Sequence, residues 1–375
     1  MKIKDVATYI KRGITPKYVD KDGLIVVNQK CIKDGTINHE FVKYTSKDKK
    51  FSDEKKIQVG DILINSTGTG TLGRVAYADK KLGFSYVDSH VTILRCENYN
   101  PKFLFYWLRP LEKYIETLGK GSTNQIELSS DIISEIEIPA IDIIKQNKIT
   151  EIVSKYDDLI ENNQKQIKLL EEAAQRLYKE WFVDFRFPGY EDTKFIDGIP
   201  DGWRKHKIDD VFKIKYGKTL STSKINKTGK YPVYGANGII GFYNEKNCSD
   251  CVVLITSRGN GSGDVSRTYN KESFVTNNSF IVNPFNKSYR LSYVHQLIKT
   301  INFKNICTGS AQPQLTNNSI SMLSVMVASD ELVGRFCDVG DLLYEKIDNI
   351  LKQNILLTQA RDRLLPKLMS GEIEV

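Results

Sequence analysis

Gly68-Thr69-Gly70-Thr71-Leu72-Gly73 has the glycine spacing of a dinucleotide loop and comes after a strand pattern ending at Asn65. Such a site needs a helix to start at the loop, so that its first amides face the pyrophosphate. Here the loop runs instead into Arg74-Val75-Ala76-Tyr77, a strand pattern, so the glycines read as a hairpin tip. Gly217-Lys218-Thr219 resembles the end of a phosphate-binding loop, but Phe212 stands where its first glycine belongs. Pro200-Asp201 could open a nuclease carboxylate motif, yet the residues two beyond Asp209 and Asp210 are Val211 and Phe212 rather than lysine. A methyltransferase that holds a flipped adenine needs an Asn/Asp-Pro-Pro-aromatic loop, and the chain has no Pro-Pro. Cys248 and Cys251 are the one cysteine pair at metal-ligand spacing; no second pair completes a four-ligand site, and His39, His90, His206 and His295 are isolated. No catalytic residue and no metal site is assigned.

The polar residues make better sense as contacts, because they recur. Ile3-Lys4-Asp5-Val6 leading to Gly13 returns as Ile208-Asp209-Asp210-Val211 leading to Gly217. A strand opening into Ser66-Thr67-Gly68-Thr69-Gly70 returns as one opening into Ser257-Arg258-Gly259-Asn260-Gly261, and Gly121-Ser122 returns as Gly309-Ser310. Side chains of these types donate to phosphates and read base edges. The net charge of +8 is uneven: Trp203 to Lys230 holds nine basic residues against two acidic ones, whereas Lys145 to Phe182 balances seven against seven. A polyanion is the expected partner of the globular parts.

The elements that carry these tips form one α+β unit used twice. Asp61 to Asn65, Arg74 to Tyr77 and Tyr86 to Arg95 read as strands, matched by Val252 to Thr256, Val265 to Tyr269 and Phe274 to Val282. Lys102 to Leu118 and Tyr289 to Ile301 read as matching helices. Each half closes with a longer helix whose apolar residues step by four and three, the seam of a coiled coil. The first seam is Ile149, Val153, Tyr156, Ile160, Asn163, Ile167, Leu170, Ala174, Leu177 and Trp181. A shift of 187 gives Phe336, Gly340, Leu343, Ile347, Ile350, Asn354, Leu357, Arg361, Leu364 and Leu368, with Gly340 and Arg361 as interruptions. Neither helix has another evident apolar partner, so the two are expected to pair antiparallel, as a rigid rod with a globular unit at either end. In the expected register paired residue numbers sum to 517, which brings Asn163 to Asn354. The domains are expected at 1–140, 141–187 (first spacer helix), 188–327 and 328–375 (second spacer helix and tail). No apolar run approaches the ~18 residues that cross a bilayer, and scattered cysteines suit reduced thiols. A cytoplasmic protein with no membrane partner is expected.

The whole pattern resembles the specificity subunit of type I restriction-modification systems. The strings that carry the resemblance are Leu169 to Pro188, which includes Leu177-Tyr178-Lys179-Glu180-Trp181-Phe182, and the terminal Arg363 to Ile373. Pro139 and Ile199-Pro200-Asp201-Gly202-Trp203 also fit. The resemblance implies two target-recognition domains joined by two long antiparallel coiled-coil helices. It implies a non-catalytic reader of a bipartite, asymmetric double-stranded DNA target that docks two methyltransferase subunits and, through the complex, motor-endonuclease subunits. S-adenosylmethionine, ATP and Mg²⁺ would then serve those partners, with no cofactor in this chain. The alternative is a coiled-coil scaffold with two protein-binding heads and no DNA specificity.

The expected DNA-contacting residues are Arg12, Thr15, Lys17, Ser66, Thr67, Thr69, Arg74, Ser122, Thr123, Asn124 and Gln125 in the first half, and Lys218, Thr219, Ser257, Arg258, Asn260, Ser310 and Gln312 in the second. The expected helix-pair interface is the two seams without Ala174, Trp181, Phe336, Gly340 and Arg361.

Overall fold

A computed structural model describes every residue except 21, 80–84, 122–125 and 310–311. It divides into two compact units, Met1–Leu159 with Leu357–Val375, and Ile160–Leu356.

The first unit is built on β1 (Ala7–Arg12), β2 (Leu24–Val27), β3 (Ile62–Asn65), β4 (Val75–Tyr77), β5 (Ser85–Val87), β6 (Val91–Cys96) and helix α1 (Pro101–Leu108). The main sheet is antiparallel in the order β1-β6-β3-β4, while β2 and β5 pair parallel in a second sheet. Strand β3, Ile62-Leu63-Ile64-Asn65, is buried at every position because both faces of its sheet are covered. Alternation sends Ile62 and Ile64 to a core with Phe103 and Leu104 of α1, and Leu63 to a core with Val27 and Val87 of the second sheet. The chain then enters one long helix, α2 (Ile143–Phe182), whose first amides are capped by the Asp142 carboxylate, accepting from Ile144 and Lys145 N–H at 3.0 Å each.

The second unit repeats this design with β7 (Phe212–Tyr216), β8 (Tyr231–Gly235), β9 (Val253–Thr256), β10 (Val265–Arg267), β11 (Phe274–Val275), β12 (Ser279–Pro284), α3 (Leu291–Lys299) and the closing helix α4 (Asp330–Ser370). Its main sheet runs β7-β12-β9-β10, and β8 pairs parallel with β11. Val253 and Ile255 face the helix-side core, and Leu254 faces Tyr234 and Val275. The recurrence of Gly13 and Gly217 has a steric cause. A Cβ on Gly13 would lie 2.0 Å from the Val87 carbonyl oxygen, and one on Gly217 would lie 2.4 Å from that of Val275. In both units the backbone after the first strand passes too close to its neighbour for any side chain.

Three expected elements are corrected. Tyr86 to Arg95 is two strands, because the backbone turns at Asp88-Ser89-His90 and passes from one sheet to the other. Phe274 to Val282 breaks at Thr276-Asn277-Asn278 for the same reason. The helix expected over Lys102 to Leu118 tightens to a 3-10 turn over Arg109–Leu111 between α-helical segments, since Pro110 has no N–H to continue the ladder.

The long helices also correct the expectation that they have no apolar partner but each other. In the first unit Ile149 and Val153 of α2 share one core with Phe103, Leu108, Leu365, Leu368 and Met369. In the second, Tyr178, Trp181 and Phe182 share one with Tyr293, Leu297 and Phe336. Residues from the start of α2 thus meet residues from the end of α4 in one unit, and the reverse holds in the other, so within each unit the helices run antiparallel. The two seam interruptions also have structural reasons. Arg361 is buried and donates to Asp157 Oδ1 at 2.6 Å. A Cβ on Gly340 would sit 2.9 Å from Ser292 Oγ, so glycine lets α3 approach α4.

Candidate nucleic-acid interface

In each unit four segments far apart in sequence form one surface. The β3–β4 tip lies against residues 126–128: Thr67 and Glu127 form a bridge, and Leu128 N–H donates to the Ser66 carbonyl at 2.9 Å. In the second unit Arg258 bridges to Gln314, and Leu315 N–H donates to the Ser257 carbonyl at 2.9 Å. The turn between the two sheets joins from the side, with Ser66 N–H donating to the His90 carbonyl and Ser257 N–H to the Asn278 carbonyl, both at 2.8 Å. The end of the first strand closes the set. Arg12 Nη2 donates to the Leu128 carbonyl at 3.2 Å, and Tyr216 O–H donates to that of Leu315 at 3.4 Å. The backbone frame is therefore the same in both units, and the side chains on it differ.

Placement on this frame sorts the expected contacts. Thr15, Lys17 and Thr69 are exposed in the first unit, as are Lys218, Thr219, Arg258, Asn260 and Gln312 in the second. Thr67 is half-buried, its hydroxyl 2.7 Å from His90 Nδ1. Arg74 folds back to donate to the Gly70 carbonyl at 2.8 Å. Arg12 is half-buried and ion-paired with Glu127, which makes it a brace for the adjoining loop. Ser66 and Ser257 are corrected: both are fully buried, Ser66 against the Thr92 hydroxyl and Ser257 donating to the Asn277 carbonyl at 3.2 Å. Each stands one residue beyond β3 or β9, where the crossing segments that bond its backbone, at Leu128 and His90 or at Leu315 and Asn278, cover the hydroxyl before the tip turns out. Ser122, Thr123, Asn124, Gln125 and Ser310 lie outside the described residues.

His90 and Asn278 were missed by the sequence reading. Both are exposed on this surface at equivalent positions. The signal was the polar triplet inside each presumed single strand, Asp88-Ser89-His90 and Thr276-Asn277-Asn278. Asp88 is the buried member of the first triplet, accepting from His90 N–H at 2.9 Å and from Tyr18 O–H at 3.3 Å. Burial raises the Asp88 carboxyl above its ordinary range, and burial followed by the Asp88 charge pushes Tyr18 up to about 12. These groups shape the turn and present no acid–base pair to the surface.

On the helices, Ile149, Val153, Asn163, Ile347, Ile350 and Leu368 are buried, while Tyr156, Ile160, Ile167, Leu170, Leu177, Leu343, Asn354, Leu357 and Leu364 are half-buried. Asn163 Nδ2 donates to Asn354 Oδ1 at 2.8 Å, the pairing that a residue sum of 517 requires. Trp181 and Phe336, with the same sum, meet edge-on at 5.9 Å between ring centres.

Among the described residues no group of three or more His, Cys, Asp or Glu could hold a metal ion, and no helix is long and apolar enough to cross a membrane. Comparison with known proteins places this geometry. The family model for the type I restriction modification DNA specificity domain matches residues 1–172 and 200–332. The type I restriction enzyme MjaIX specificity subunit of Methanocaldococcus jannaschii is 26% identical, over 90% of this chain and 85% of its own. The HindI specificity subunit of Haemophilus influenzae is 24% identical, over 85% of this chain and 88% of its own. Among solved structures, the crystal structure of a type I restriction-modification S subunit from M. genitalium covers 98% of this chain and 95% of its own, with a TM-score of 0.56 at 22% identity, a likeness of fold. Two matched regions spanning most of the sequence, on two units with one frame, make this chain a member of the type I restriction-modification DNA specificity family.

Proposed function

We infer that each unit reads one half of a two-part, asymmetric DNA target, and that the long helices fix the gap between the halves. The observation that carries this reading is the shared frame with unlike side chains. The same backbone hydrogen bonds present Thr67 and His90 in one unit and Arg258 and Asn278 in the other. A frame repeated for stability alone would not need to change what it displays, whereas two readers of different sequences must. Lys17, Lys218 and Arg258 are exposed cations suited to phosphates, and Asn260, Asn278 and Gln312 carry the paired donor and acceptor that an adenine edge accepts.

The chain supplies specificity and its partners supply the chemistry. Two methyltransferase subunits dock on the helices and use S-adenosylmethionine; motor-endonuclease subunits join the complex and use ATP and Mg²⁺; none of these cofactors binds this chain. Leu169 and Leu356 support docking of two like partners, since they stand 187 residues apart and are 64% and 65% exposed. The complex works in the cytoplasm, where the DNA is.

The test is an exchange of Met1 to Ile138 for another recognition domain, with methylated adenines mapped in cells that also express the partner subunits. One half of the methylated sequence should change while the other half and the gap remain. If both halves change together, the units are not independent readers. Methylation by the purified chain with S-adenosylmethionine and no partner would overturn its non-catalytic role.

A further inference from the structure

Each reading unit is joined to a long helix through buried polar groups, at equivalent places and with different chemistry. In the first unit Tyr106 of α1 donates its hydroxyl to Asp157 Oδ2 at 2.6 Å, and Arg361 Nη1 donates to Asp157 Oδ1 at 2.6 Å. Arg361 also donates to Asp362 at 2.7 Å, and it is 7% exposed. In the second unit Gln296 of α3, six residues beyond the helix cap as Tyr106 is in α1, donates to the Tyr344 hydroxyl at 3.1 Å. Tyr344 stands 187 residues after Asp157. His295 Nδ1 lies 2.6 Å from the same hydroxyl, and Arg267 stacks 4.6 Å above the Tyr344 ring while donating to Asp348 at 2.6 Å.

Apolar side chains of similar volume would fill these joins, and burying ions is seldom a gain in stability. Apolar contact, however, is non-directional, and a helix held by it alone can roll or slide on its neighbour. Hydrogen bonds to a carboxylate or phenol oxygen tolerate only narrow distances and angles. The geometry points to Asp157 with Arg361 and Tyr106, and Tyr344 with Gln296, His295 and Arg267, as positioning residues that fix the angle of each reader on its helix and thereby the permitted gap between half-sites. The proposal rests on the DNA-reading conclusion above. Unlike chemistry at like positions means that each unit sets its own angle.

The double variant Asp157→Asn/Arg361→Met removes both charges together and leaves Tyr106 an acceptor, so no unpaired ion is buried. Tyr344→Phe removes one hydroxyl from the other join and serves if the first variant fails to fold. Each is co-expressed with the partner subunits and its methylated adenines are mapped, alongside Arg361→Lys. Both half-sequences should be retained, while methylation at sites whose gap differs by one base pair rises about tenfold, equivalent to about 1.4 kcal/mol of lost discrimination. Arg361→Lys should keep the original gap. A wild-type chain that directs no two-part motif would overturn the DNA-reading conclusion and this proposal with it. A wild-type two-part motif beside variants that keep the same single gap would overturn the positioning role alone.

Discussion

Replacing both Asn163 and Asn354 by leucine should stabilise the second unit, whereas replacing Asn354 alone should not. In the native pair each amide has a partner, and the bond contributes a net ~1 kcal/mol after exchange with water. Asn354→Leu alone leaves the buried Asn163 amide facing an apolar side chain, a loss of about 1 to 3 kcal/mol that the new leucine only offsets. The double variant leaves no orphan. Position 163 is 9% exposed, so a leucine there gains nearly the full ~1.5 to 3 kcal/mol of burial, and one at half-buried 354 gains about half of that. After subtracting the lost bond, the double variant should be more stable by about 2 to 3 kcal/mol. At ~2 to 4 °C per kcal/mol for a unit of this size, its calorimetric transition should rise by about 4 to 12 °C. The cost is specificity, because a slip of seven residues would set Asn163 against Ile347 or Arg361. Cysteines at Ile167 and Ile350, whose numbers sum to 517, should cross-link efficiently in the native chain and less so when combined with the double variant. A coupling energy below ~0.5 kcal/mol in the double-mutant cycle, or a double variant that melts below the wild type, would refute the reasoning.

Other outcomes rest on single contacts. Gly13→Ala should unfold or strongly destabilise the first unit, by about 3 kcal/mol or more, because its Cβ would overlap the Val87 carbonyl oxygen; Gly217→Ala should do the same to the second, and limited proteolysis would show which unit opens. Arg258→Ala should weaken DNA binding and, if it removes one phosphate contact, make the log–log salt slope shallower by about 0.9; an unchanged slope with altered sequence preference would assign Arg258 to a base instead. Burial, followed by the Lys299 and Arg267 charges, lowers His295 from its ordinary 6.5 to about 3. The unfolded chain therefore binds a proton between those values that the folded chain excludes. Stability present above pH 6.5 is lost as pH falls towards 3, about 2 kcal/mol by pH 5, and His295→Gln should flatten that part of a denaturation-against-pH profile.

The duplication and the seam period were legible in the residues because each is a local rule. Glycines where no Cβ fits return at Gly13 and Gly217, and buried or half-buried helix positions return every three or four residues from Ile149 onward. The register was legible too, since two polar residues at matching steps of opposite seams have one mutual arrangement, and Asn163 meets Asn354 there. Tertiary structure alone decided what faces outward at the tips. Ser66 and Ser257 read as turn hydroxyls from their neighbours, but segments distant in sequence cross over and bury them, while His90 and Asn278, hidden in apparent strands, are turned out by a passage between sheets. Arg361 looked like a flaw in the seam because its partner Asp157, 204 residues earlier and itself held by the Tyr106 hydroxyl, becomes a neighbour only when the chain closes on itself. A period in sequence reports which face of an element is buried. Which residue meets it there is a long-range fact that only the folded chain supplies.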